Sequence, residues 1–128
     1  MRIVVFAALV ATLSACGVLG DSDPEPVSAS AAKSQTCAEV KAGVDSFNDG
    51  DYSGTVTHFK KAIEPATLFA KTTKASDADD LLNAVRYYAG LQPREYPEAA
   101  RTSSDFAKYK AITLGLCVPV DDPESVTT

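Results

Sequence analysis

The side chains in this 128-residue sequence that could carry chemistry are few: three cysteines, one histidine, and tyrosines and arginines gathered in the second half. His58 stands two residues from Val56 and next to Phe59, so on a helix it faces away from the apolar stripe and toward solvent. Asp77, Asp79 and Asp80 could hold a divalent cation. They lack the glycine and distal glutamate of a calcium loop, and acids gather at a helix N-terminus through the macrodipole anyway. No H-E-x-x-H, G-x-S-x-G, Walker or G-x-G-x-x-G spacing occurs. No enzyme activity, metal or cofactor is therefore expected. Recognition chemistry is better supplied. Arg86, Tyr87, Tyr88, Arg94 and Tyr96 lie close together, and tyrosine with arginine is favoured in binding hot spots. Adjacent Tyr87 and Tyr88 cannot both face one core, so at least one hydroxyl is expected near the surface. The plainer alternative is that one of the pair packs the loop from Leu91 to Tyr96.

The first cysteine has a different context. Met1-Arg2 is a minimal basic start, followed by an apolar run from Ile3 to Leu13 and then Ser14-Ala15-Cys16. Charged, apolar and small is the layout of a secretory signal. A helix from Ile3 to Ala15 would span only about 20 Å against a hydrocarbon core of about 30 Å, so it is too short to cross a bilayer. Leu13-Ser14-Ala15-Cys16 resembles the lipobox of bacterial lipoproteins. That resemblance implies that Cys16 carries a thioether-linked diacylglycerol and becomes the first residue of the mature chain. Two acyl chains, at about 0.8 kcal/mol per buried CH₂, make a stable anchor where one chain is marginal. It places the protein on the extracytoplasmic side of a cell membrane, held to the lipid bilayer through acylated Cys16.

Composition and charge fit a tethered domain. The chain is 45% apolar and 23% charged, which is ordinary globular usage. A net charge of −5 disfavours nucleic acid as a partner. The acids concentrate at the ends, as Asp21, Asp23 and Glu25 before the core and Asp121, Asp122 and Glu124 after it. The expected organisation is a signal peptide at 1–15, a lipidated flexible tether at 16–34, a helical domain at 35–118 and a disordered acidic tail at 119–128.

Within the core, four helical patterns stand out. Thr36-Cys37-Ala38-Glu39 reads as a capping box, and Cys37, Val40, Val44 and Phe47 follow on one stripe. Val56, Phe59, Ile63, Ala66 and Ala70 mark a second helical stripe interrupted by Pro65, where either the helix kinks or a short new helix opens, the kinked single helix being preferred. Leu81, Leu82, Val85, Tyr88 and Ala89 mark a third, stopped at Gly90 and Pro93. A fourth runs from Pro97 to Leu114 with Phe106, Tyr109 and Thr113 inward. No segment reads as a strand. The expected fold is all-α, a small up-down four-helix bundle. With Cys16 taken by lipid, Cys37 and Cys117 remain as an even pair in an oxidising compartment. At the start of the first helix and the end of the fourth they share a pole, so a disulfide is expected.

Gly43 to Ala62 resembles part of a single tetratricopeptide repeat. Gly50-Asp51-Tyr52 stands at its turn, and Gly43, Thr55, Phe59 and Ala62 at its small, small, aromatic and small positions. Glu39 and Ser46 depart from it, Pro65 arrives two residues early, and no second copy follows. The resemblance implies a helix hairpin. The leading functional expectation is a small helical protein-interaction module working on an envelope protein. Two alternatives stand beside it. One is a carrier of a lipid or small apolar ligand lined by Phe59, Phe69, Leu82 and Phe106. The other is an immunity or exclusion lipoprotein of a mobile element.

Overall fold

A computed structural model describes residues 27–118. The expected signal peptide, Cys16, the tether as far as residue 26 and the acidic tail from 119 lie outside the described residues. Five α-helices follow in order: α1 Ala29–Asn48, α2 Tyr52–Thr72, α3 Ser76–Gly90, α4 Tyr96–Thr102 and α5 Ser104–Cys117. A 3-10 turn at Pro93–Glu95 precedes α4. Among the described residues there is no strand, and no helix is long and apolar enough to cross a membrane.

Two boundaries differ from expectation, each for a local reason. The first helix begins at Ala29 rather than at Thr36, because the Ser28 hydroxyl accepts the Ala31 N–H at 3.1 Å and caps it. Residues 29–34, expected in the tether, are therefore helical, and Ala32 is fully buried. Thr36 is not a cap. It is buried inside α1 with its hydroxyl donated to the Ala32 carbonyl at 2.8 Å. The expected fourth helix is divided at Ser103, whose extended backbone ends α4 and whose hydroxyl accepts the Phe106 N–H to start α5. Pro65, by contrast, sits inside one continuous α2.

The turn between α1 and α2 needs a left-handed residue, and Gly50 supplies it at φ 78°. The Asp51 carboxylate then accepts the Gly54 N–H at 2.8 Å and caps α2. This hairpin forms the most extensive helix contact, and Gly43 lies so close to the Phe59 ring that a Cβ there would stand 2.9 Å from Cε2. After α2 packs on α3, α5 returns against both α3 and α1. The core is therefore built mainly from α1, α2, α3 and α5, with Val40, Phe59, Ala62, Leu81, Val85, Tyr88 and Phe106 at its centre and Tyr96 of α4 joining it.

A Cys37–Cys117 disulfide ties the last helix to the first, with Cα atoms 4.9 Å apart. Cys37 is not at a helix start, as expected, but well inside α1, because α1 begins earlier. The end of α5 is thus pinned to the flank of α1.

Candidate functional site

Between α1 and α5 the packing leaves a cavity of about 280 Å³. Val44, Phe47 and Asn48 of α1 form one wall, and Phe106, Lys110, Thr113 and Leu114 of α5 form the other. Each set follows helical spacing, so each is one face of its helix. Thr55 and Phe59 of α2, Tyr88 of α3 and Tyr96 of α4 close the floor. Its lining includes the short or branched side chains Val44, Thr55 and Thr113 beside longer neighbours, a mixture that leaves space unfilled. Asn48 and Lys110 are exposed and mark the mouth.

The hydroxyls in this cleft are already engaged. The Tyr96 hydroxyl donates to the Tyr88 carbonyl, and the Tyr88 hydroxyl donates to the Phe106 carbonyl at 2.8 Å. The Thr55 and Thr113 hydroxyls donate to the Asp51 and Lys110 carbonyls. Among the described residues no buried side-chain nitrogen or oxygen lacks a partner. The floor therefore presents hydrocarbon and ring faces with no hydrogen bond left to satisfy. Burial raises the Tyr88 and Tyr96 hydroxyls well above the usual tyrosine range, and the neighbouring tyrosines add to the rise. Both stay neutral donors at any physiological pH.

The aromatic rings form one connected cluster. Phe59 and Tyr88 meet at 4.8 Å between centroids, Tyr88 and Phe106 edge-on at 5.0 Å, and Tyr52 stacks on Tyr96 at 6.0 Å. Such contacts hold the floor in one arrangement.

The expected binding face is divided by the fold. Tyr88 and Tyr96 are only 4% and 1% exposed, so they are core and cleft residues and offer nothing to a protein partner from outside. Tyr87 is half-buried, with its hydroxyl 3.1 Å from Ser103 Oγ. Tyr87 and Arg94 line an open groove of about 560 Å³ together with Leu91, Glu95, Glu98 and Ala99. Arg86 is exposed beside Tyr87 but does not line that groove. Of the residues expected to line an apolar pocket, Phe59 and Phe106 do so, whereas Phe69 and Leu82 are buried elsewhere in the core.

His58 is not simply solvated: its Nδ1 lies 2.8 Å from the Glu39 carboxylate, across the α1–α2 seam. That pairing also accounts for Glu39, which was expected to reach back to Thr36. Asp77 and Asp79 sit in the first turn of α3. Among the described residues no group of three or more histidine, cysteine or acidic side chains is placed to hold a metal ion.

Of the α5 wall, Phe106 and Thr113 were expected to face inward, whereas Lys110 and Leu114 went unnoticed. One signal was present: Phe106, Lys110, Thr113 and Cys117 follow helical spacing, and Lys110 interrupts that otherwise inward stripe with a charge. Comparison with known protein families, with characterised proteins and with solved structures finds no match to this chain.

Proposed function

We propose that this chain is a lipid-anchored, extracytoplasmic carrier protein of a bacterial envelope, without enzymatic activity, holding a small apolar molecule between α1 and α5. The carrying observation is the cleft. It is walled by Phe47, Phe59, Tyr88, Tyr96 and Phe106, and the hydroxyls of its floor are internally bonded. The anchoring part of the reading rests on the leader and on Cys16 in Leu13-Ser14-Ala15-Cys16. In this reading α1, α2, α3 and α5 are the four staves of an up-down bundle, with α4 as a connection.

The carrier reading is preferred to the protein-interaction reading because Tyr88 and Tyr96, two of the five expected binding residues, face inward. A second reading keeps one observation of its own: the open groove with Tyr87 and Arg94, where an envelope protein could dock.

The test is native mass spectrometry of protein isolated from its own membrane, with extraction of whatever accompanies it. An apolar compound in near-stoichiometric amount, lost from a variant with the cleft filled, supports carriage. Ligand-free protein that crosslinks to one envelope protein, with the crosslink lost in Arg94→Ala, overturns carriage in favour of the groove. In the same cells, Cys16→Ala is expected to release the chain from the membrane or leave it as precursor. Normal anchoring of that variant would refute the lipoprotein reading.

A further inference from the structure

The chemistry of the cleft is asymmetric between floor and mouth, and that asymmetry bears on what it holds. Lys110 is the single charged side chain lining it, and no carboxylate does. Lys110 is exposed at the mouth, and among the described residues it makes no ion pair. The one other polar side chain at the mouth is Asn48, whose amide can donate as well as accept. Beneath them the floor is ring faces with every hydroxyl engaged. A molecule matched to both ends has an apolar body and an anionic head.

We infer that the cleft binds a single-chain anionic amphiphile, with its alkyl body on the floor and its carboxylate at Lys110. This rests on the carrier reading above and adds the ligand class. Size limits the body. A cavity of about 150 Å³ holds benzene, so 280 Å³ suits a ligand of roughly ten heavy atoms. A full-length membrane lipid is excluded from complete burial. A medium-chain fatty acid fits. Lysine acts here as a point charge at a solvated rim, so its effect on affinity is modest and sensitive to salt.

Octanoate and octan-1-ol, which share one alkyl chain and differ in the head, are the probes. The chain contains no tryptophan, and two of its five tyrosines, Tyr88 and Tyr96, lie in the floor, so a change in tyrosine emission follows occupancy. The full chain is titrated with each probe at low salt, alongside Lys110→Met, which keeps the apolar stem and removes the charge. Both probes are expected to saturate the wild type. The variant is expected to lose about fivefold in octanoate affinity and none in octanol affinity. Octanoate binding that is indifferent to Lys110→Met, with octanol still bound, overturns the anionic-head inference and leaves the apolar cleft intact. Failure of both probes to saturate overturns the inference and the carrier reading together.

Discussion

Phe47 of α1 and Phe106 of α5 meet with ring centroids 5.9 Å apart, at the far end of the helix pair from the Cys37–Cys117 disulfide. Along α1 the two ties are separated by about 15 Å, and along α5 by about 16 Å, at ~1.5 Å per residue. Cys37 precedes Phe47 in α1 whereas Cys117 follows Phe106 in α5, so the helices run antiparallel and are fastened at both ends of the stretch they share. The space between the ties is the cleft. A gap left by Val44 and Thr113 would ordinarily be reduced by helix approach. Here a covalent bond at one end and ring packing at the other resist that collapse.

Removing the covalent tie should cost the most. The disulfide closes a loop across a sequence separation of 80 residues. In the chain-entropy model that contributes about 4.5 kcal/mol, a large share of what so small a domain can have. A Cys37→Ser, Cys117→Ser variant should unfold at markedly lower urea concentration than the oxidised protein. Equal midpoints would show that the bond adds nothing.

Filling the cleft should separate function from stability. Val44→Phe places a ring in existing space, so octanol binding is expected to disappear while the thermal midpoint stays level or rises. A large drop in the midpoint would mean that the space is too small to take it.

Two glycine substitutions should move in opposite directions. Gly43→Ala gains helix propensity but drives a methyl into the Phe59 ring, where overpacking costs about 1–3 kcal/mol and outweighs the gain. Gly115→Ala meets nothing within 4 Å and should stabilise α5 by about 0.5–1 kcal/mol. Denaturant unfolding of the two variants checks both signs.

Alkaline pH should unfold the domain through its core tyrosines. The folded values of Tyr88 and Tyr96 lie above the ordinary 10.0, so near neutrality the stability they contribute is fully present. Above pH 10.0 the unfolded hydroxyls ionise while the folded ones keep their protons. Stability then falls with rising pH, by about 1.4 kcal/mol per pH unit for each tyrosine. Urea midpoints measured upward from about pH 9 should decline, and Tyr88→Phe should roughly halve the slope.

The all-helical fold was legible because strong apolar residues recur at helical spacing, most clearly in α3, where Leu81, Leu82, Val85, Tyr88 and Ala89 are all buried. Where alanine, glycine and threonine form the buried face, the pattern fades. Ala32 and Thr36 hid the first two turns of α1, and Thr55 and Ala62 carry part of the α2 face beside the expected Val56 and Phe59. The break at Ser103 depends on a hydroxyl choosing the Phe106 N–H, a local competition that apolar spacing does not encode. The two cysteines paired as expected, though the shared-pole argument misplaced Cys37 within its helix. The cleft was the least legible feature, since it depends on which short residues face one another across two helices distant in sequence.

The disulfide also changes what a cut in the chain can do. Cys37 and Cys117 enclose α2, α3, α4 and α5 in one covalent ring. The stretch between α2 and α3, with Lys74 and Ala75 exposed, is the natural place for an external protease to enter. A single nick there opens the ring without freeing either piece. The two fragments travel together at almost unchanged mass until a reductant parts them, so the domain can be scarred and still remain whole.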